Sequence, residues 1–256
     1  MKIIICGKGG SGKSTIAVLL AKALQKRGFN LLLIDADESN LGLHRLMGVS
    51  APASVMDDMG GKKEFKRKMN SPSPGGPGKI FGDNIKIDEI PADCITRRDG
   101  ISLLSIGKIN APGEGCACPM GVLSKMVLSG LALSDKDIIL IDTGAGVEHF
   151  GRGIDAKCDI ILNVVDPSFE SFMLSEKVAE MADQAEIGLL FILNKVDDNV
   201  LETMTAAVDQ ARVIAKIPQN SSIFLQSLEG RELAGHIPEI DPVCSLIAKK
   251  ASGTGM

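Results

Sequence analysis

Apolar residues fall along the chain in two alternating rhythms, short unbroken runs and longer stretches with helical spacing. The runs cover residues 2–6 (Lys2-Ile3-Ile4-Ile5-Cys6), 30–35, 137–142, 159–165 and 187–193. They are rich in Ile, Leu and Val and lack an alternating polar face, as expected of strands buried on both sides. Between them, residues 16–27, 119–133 and 169–185 carry apolar side chains at helical spacing, and a short strand near 213–217 and a helix near 242–250 follow. Strands alternating with helices predict parallel βαβ units. The expected fold class is α/β: an open, mostly parallel twisted sheet flanked by helices on both faces.

Residues 50–115 break the rhythm. The segment Ser71-Pro72-Ser73-Pro74-Gly75-Gly76-Pro77-Gly78 is rich in Pro and Gly, and only 85–87 and 101–105 look strand-like. This stretch reads as an insertion within one domain spanning 1–256. Its basic run, Lys62-Lys63-Glu64-Phe65-Lys66-Arg67-Lys68, reads as a solvated helix face, with a docking surface for an acidic partner as the other reading.

A chain of 256 residues that is 45% hydrophobic can fill one sizeable core. With no Trp or Tyr and only eight Phe, an aromatic platform for nucleic-acid bases is not expected. No apolar run approaches the ~20 residues of a membrane span, and the apolar start is one strand long, too short for a signal peptide. Six cysteines point to a reducing, cytoplasmic setting with thiol or metal chemistry rather than a disulfide framework.

The richest chemistry lies between the first strand and first helix, in Gly7-Lys8-Gly9-Gly10-Ser11-Gly12-Lys13-Ser14-Thr15. A glycine loop entering a helix offers backbone N–H groups and positive potential to an anion. Gly7-x-Gly9-x-x-Gly12 also fits a dinucleotide fingerprint, and Asp35 stands near its expected acid, but Gly12-Lys13-Ser14 marks a phosphate loop. Lys13 would reach the β- and γ-phosphates, and the Ser14 hydroxyl would hold Mg²⁺. Lys8 follows the first glycine and cannot easily fold onto phosphates its own loop surrounds. It is better placed to reach a nucleotide on a facing subunit.

Further acids end the buried runs. Asp35-Ala36-Asp37-Glu38 and Asp142-Thr143-Gly144-Ala145-Gly146 should sit at the carboxyl edge of the sheet. Asp142 is placed to bind Mg²⁺ through its water shell, and Gly146 to sense the γ-phosphate with a free N–H. Asp37 is the candidate for positioning or deprotonating the attacking water and Asp35 for supporting the metal shell. In a plainer role either acid, or Ser39, caps the helix after Asn40. Asn194-Lys195-Val196-Asp197 should lie beside the base. Asn194 can contact adenine, whereas the final acid of such a run reads guanine in GTPases, and Asp197 can equally start the next helix.

Cys116-Ala117-Cys118 lies between Gly113-Glu114-Gly115 and Pro119. Two thiolates are too few for a closed tetrahedral site, but two chains would supply four, suited to Zn, Ni, Cu(I) or an iron–sulfur centre. Cys6 and Cys244 read as core cysteines, and Cys94 and Cys158 fit either role.

The loop with Lys8 resembles the deviant phosphate loop of the ATPase family that includes the nitrogenase iron protein, the cell-division positioning ATPases and the plasmid-partition ATPases. That resemblance implies ATP as the nucleotide and a nucleotide-sandwich homodimer in which Lys8 acts across the interface, and it favours Asp37 as the residue at the water. Within that family the chain resembles the nickel-inserting maturation ATPases of carbon monoxide dehydrogenase, the CooC type. This rests on Gly7 to Thr15, Asp35-Ala36-Asp37, Cys116-Ala117-Cys118 and the run Asp142-Thr143-Gly144-Ala145-Gly146-Val147-Glu148-His149-Phe150-Gly151-Arg152-Gly153. Members of that group hold Ni²⁺ or Zn²⁺ between two subunits through Cys-x-Cys, and ATP drives their dimerisation and metal delivery to carbon monoxide dehydrogenase. Where a nitrogenase-type reductase would carry a cluster cysteine, His149 stands, as a switch residue or a ligand. The segment Lys249-Lys250-Ala251-Ser252-Gly253-Thr254-Gly255-Met256 offers neither the membrane helix nor the basic surface of a positioning or partition protein.

Overall fold

The computed structural model describes residues 1–71, 84–109, 118–151, 153–154 and 158–252. Among them, strands β1 (Lys2–Gly7), β2 (Asn30–Ala36), β3 (Ile95–Arg98), β4 (Ile101–Ser105), β5 (Asp137–Thr143), β6 (Ile160–Val165), β7 (Gly188–Val196) and β8 (Val213–Pro218) form one sheet. Its order is β3-β4-β2-β5-β1-β6-β7-β8, parallel throughout except for the β3/β4 hairpin. The helices are α1 (Lys13–Gln25), α2 (Leu43–Met47), α3 (Val55–Asp58), α4 (Gly61–Asn70), α5 (Cys118–Gly130), α6 (Glu148–Gly151), α7 (Phe169–Gln184), α8 (Leu201–Ala206), α9 (Ser221–Leu228) and α10 (Asp241–Ala251). The α/β class read from the sequence is the one observed.

Both faces of the sheet are covered, which is why its strands read as unbroken apolar runs. Successive strand residues point to opposite faces. Ile3, Ile5, Leu31, Leu33, Ile138 and Leu140 therefore pack under α1, α2 and α10. Ile4, Leu32, Ile34, Ile139 and Ile141 pack under α3, α4, α5 and α7. No helix among the described residues is long and apolar enough to cross a membrane.

Two sequence expectations change here. Residues 85–87 do not form a strand: Ile85 makes a single bridge to Leu131, and Ile87–Glu89 is a 3₁₀ turn. The Glu89 carboxylate accepts from the Lys86 N–H at 2.9 Å, which closes the chain into that turn instead of extending it. Residues 101–105, read as part of an insertion, form β4, buried at every position and paired with β2. That stretch thus supplies two strands of the sheet, while Pro72 to Gly78 lie outside the described residues. The basic run forms α4, with Phe65 buried and Lys63, Lys66, Arg67 and Lys68 exposed, a solvated face as read.

The chain leaves β1 for β2 on one side, returns to place β5 between them, and then moves to β6 on the other side. The order reverses at β1, and such a reversal opens a ligand crevice at the carboxyl ends of the strands.

Candidate functional site

The loop between β1 and α1 lies at that reversal. Gly7, Gly10 and Gly12 have φ of +143°, +80° and +100°, left-handed values that glycine adopts at little cost. At Gly7 a Cβ would collide with the Val164 carbonyl, and at Gly12 with the Asn194 amide. Gly12 is the N-cap of α1 and offers no side chain to it, so the helix start is left to a ligand, as an anion site requires. Lys13 is buried, and its ammonium donates to the Lys8 carbonyl at 3.1 Å, which folds it across the loop. Ser11 is fully buried, and its Oγ has no hydrogen-bond partner among the described residues. Gly9 backs onto Ala145.

Strand register brings the acids together. Asp35 on β2 lies directly beside Asp142 on β5, and they are 5% and 0% exposed. The Ser14 hydroxyl donates to Asp142 Oδ2 at 2.6 Å, and Asn40 Nδ2 reaches both, at 2.9 Å and 3.2 Å. Burial pushes the Asp142 carboxyl up to about 7 against the pull of the Ser14 hydroxyl, with the neighbouring Asp35 adding to the rise. Burial likewise raises Asp35 to about 6, although the Lys108 ammonium pulls the other way. Asp142 Oδ1 is buried with no hydrogen-bond partner among the described residues. Hard oxygen donors and a spare buried carboxylate oxygen fit Mg²⁺, which Ser14 and Asp142 would hold with phosphate oxygens and water.

Asp37 is the first residue after β2, with its Oδ1 accepting from the Ser39 N–H at 2.9 Å and the Ser39 hydroxyl at 2.6 Å. It lines a cavity of about 210 Å³ with Glu38, Thr143, Gly144, Glu148 and His149. Neither acid caps α2, nor does Ser39: Gly42 is its N-cap, and Asn40 Oδ1 accepts the Gly42 N–H at 2.9 Å. The expected free N–H of Gly146 is not free, since it donates to the Gly7 carbonyl at 3.3 Å. Gly146 has φ +91°, which turns the end of the β5 segment back across the phosphate loop. His149, on α6, is buried, with its ring 4.5 Å from that of Phe150.

Lys8 does not fold onto its own phosphate loop. It is held elsewhere in its own chain, donating to Ser168 Oγ at 3.1 Å with Asp166 Oδ2 at 3.9 Å. Ser168 in turn donates to Asp166 Oδ1 at 2.8 Å and caps α7. Sequence reading missed Asp166, although it directly follows β6, as Asp35 and Asp142 close their own apolar runs, and the same carboxyl-edge rule would have found it.

On the other side of the loop, Asn194 Nδ2 donates to the Ser11 carbonyl at 2.8 Å and Lys195 Nζ to the Gly10 carbonyl at 2.7 Å. Asp197 Oδ1 accepts from the N–H groups of Asn199 and Val200, at 2.8 Å and 3.1 Å, in the turn that leads into α8, whose N-cap is Val200. Beyond them a cavity of about 380 Å³ opens between α1 and α9, lined by Thr15, Asn194, Pro218, Gln219, Phe224 and others. Thr15 faces it, its hydroxyl 3.4 Å from that of Ser227. Its apolar wall suits a flat base. Gln219 and Phe224 had no sequence signal, because cavity walls come from segments far apart in the chain.

Cys118 is exposed at the first residue of α5. Cys116, Gly113 to Gly115 and Arg152 lie outside the described residues. Among the described residues no group of three or more His, Cys, Asp or Glu is arranged to hold a metal ion. Cys6 and Cys244 are core residues as read, and Cys94 is buried too.

Comparison with known proteins gives the same picture. Residues 2–250 match the model of the CobQ/CobB/MinD/ParA nucleotide binding domain. The chain is 45% identical over 249 residues to the uncharacterized ATP-binding protein MJ0084 of Methanocaldococcus jannaschii, covering 97% of this chain and 100% of that one. It is 33% identical over 232 residues to the carbon monoxide dehydrogenase accessory protein CooC of Rhodospirillum rubrum, covering 87% and 85%. Among solved structures it superposes on the septum site-determining protein MinD of Pyrococcus horikoshii, complexed with Mg-ADP. The TM-score is 0.69 at 19% identity, over 99% of this chain and 98% of that one. With the phosphate loop at the strand reversal and its acids gathered beside it, this chain belongs to the CobQ/CobB/MinD/ParA nucleotide-binding family.

Proposed function

We propose that the chain is an ATP-hydrolysing metallochaperone of the CooC type, which takes Ni²⁺, or Zn²⁺, as cargo between two copies of itself. ATP binding and hydrolysis, through dimerisation, drive insertion of the metal into carbon monoxide dehydrogenase or a related client. Support comes from the 33% likeness to CooC, but the observation that carries the reading is the position of Cys118. It opens α5, the helix that follows β4, and so stands at the carboxyl edge of the sheet with the phosphate loop. A nucleotide that draws two chains together at that edge also draws their Cys118 residues together, with Cys116 two positions away in the sequence.

In this reading Lys13 binds the phosphates and the cavity beside Asn194 takes adenine. Ser14 and Asp142 hold Mg²⁺, which when bound offsets the charge of the β- and γ-phosphates. Asp35 steadies that shell and Asp37 orients the attacking water. The Gly146 N–H leaves the Gly7 carbonyl for the γ-phosphate, and Lys8 leaves Asp166 for the nucleotide of the facing copy. The Asp197 carboxylate is occupied in the turn before α8, which supports ATP over GTP.

Equilibrium dialysis with Ni²⁺, with and without ATP, together with sizing of the Cys116→Ala and Cys118→Ala variants, tests the proposal. The expected result is one ion per two chains, lost in both variants. ATP and Ni²⁺ should each tighten the other by an equal factor. One ion per single chain, or unchanged binding in both variants, overturns it.

A further inference from the structure

None of these roles uses Lys108. Its ammonium donates to Asp35 Oδ2 at 2.6 Å and to the Asp37 carbonyl at 2.7 Å. The Lys108 and Asp35 side chains are 15% and 8% exposed. The backbone around Lys108 runs along the same loop, with the Ile106 N–H donating to the Asp35 carbonyl at 3.0 Å and Ile109 N–H to the Glu38 carbonyl at 3.2 Å. The Asp37 N–H is turned onto Asp35 Oδ1, at 3.3 Å. The peptide groups on both sides of Asp37 are therefore tied to the Asp35–Lys108 pair.

We infer that Lys108 is the positioning residue for Asp37, a strut that fixes the loop after β2 so that the Asp37 carboxylate faces the reaction site. The inference rests on the reading of Asp37 as the group that orients the attacking water. Its own side-chain bonds go to Ser39, two residues away, and a contact that local moves with the loop without anchoring it. Lys108 comes from the end of the neighbouring strand β4 and joins the loop to the sheet. A lysine suits this place because one compact ammonium carries three donors and can serve the Asp35 carboxylate and the Asp37 carbonyl, two residues apart, together. It also gives the buried Asp35 carboxylate a partner where Asp142 is its neighbour in register. Among the described residues the Lys108 ammonium gives its hydrogen bonds to these two groups, and the role inferred for it is positioning, not contact with the substrate.

The test compares Lys108→Met and Lys108→Arg with the full-length parent in three measurements: affinity for a fluorescent ATP analogue, kcat and KM for Mg·ATP, and hydrogen exchange of the amides at 37–40. A misplacement on the order of 1 Å can cost about 100-fold in rate. The methionine variant should therefore lose about that much in kcat while KM and analogue affinity stay near parental values. Exchange should speed up at 37–40 and not in the phosphate loop. The arginine variant, which keeps charge and donors, should recover most of the lost rate. A folded methionine variant with parental kcat, or one whose kcat and affinity fall together, overturns the inference. Should that variant not fold, Lys108→Gln, too short to span both acceptors, must show the same split, and parental kcat there overturns it equally. A parent that hydrolyses no ATP fails the ATPase reading, whereas unchanged exchange at 37–40 in the variants fails the strut.

Discussion

At the metal end of the crevice, Asp35, Asp142 and Lys13 are 5%, 0% and 6% exposed. They lie among hydrogen bonds that tie β2, β5, α1 and the loop after β2 together. At the base end, α9 has no buried residue and leaves Phe224, Leu225 and Leu228 exposed at 54%, 48% and 69%. Phosphate transfer is sensitive to small displacements of charge, and in the proposed function its residues are the ones held within the packed sheet and loop. A base needs a flat apolar wall, which a lightly docked helix can supply. Mutations at the two ends should therefore differ in kind: large in rate at the first, small and confined to affinity at the second.

The largest expected effect is that of Asp37→Asn. With Asp37 orienting the attacking water, as proposed, its loss should lower single-turnover hydrolysis by about 10²–10⁴-fold with ATP affinity retained. Lys13→Ala should instead weaken nucleotide binding itself, since it removes the cation of the loop. A parental rate in the Asp37 variant would move the chemistry away from this end.

Next comes Asp142→Asn, read through pH. Asp35 and Asp142 ionise near 3.8 when unfolded but are held up at about 6 and about 7 in the fold. A carboxyl raised by folding contributes stability that is full below the unfolded value and is lost as pH rises through the folded one. The nucleotide-free protein should therefore lose stability from these two groups between about pH 4 and pH 7. Asp142→Asn should flatten that dependence and raise the melting temperature near neutral pH, while abolishing the extra stabilisation by Mg·ATP. In the parent that extra stabilisation should grow with pH, because the metal needs the ionised acid. Thermal melts across pH, with and without Mg·ATP, check both signs.

Gly12→Ala probes the loop between the two ends, at the N-cap of α1. Its φ of +100° and the Asn194 amide in the path of a Cβ should cost about 1–2 kcal/mol for the backbone alone, and more through the lost contact of Asn194 with the loop. Urea denaturation measures it. The smallest effect is that of Phe224→Ala, within about 0.5 kcal/mol in stability and a modest loss of nucleotide affinity with kcat unchanged. A large loss of stability would mean that α9 is a packed element after all.

The strands and the phosphate loop were legible in the sequence because their causes are local. An unbroken Ile-rich run has few uses other than a covered strand, and a glycine row before Lys13 and Ser14 has few other than a phosphate cradle. Asp35, Asp37 and Asp142 could be placed at one edge because each ends such a run. What the tertiary structure alone decided was partnership. Register set Asp142 beside Asp35, the β4 end carried Lys108 across to Asp37, and the β6 end gave Lys8 a resting partner in Asp166. Residues 101–105 read as insertion and residues 85–87 as strand because membership of a sheet depends on a neighbouring edge, which no local pattern specifies. Apolar burial is written residue by residue along the chain. Directed contacts between charges depend on distances that exist only once segments remote in sequence have packed together.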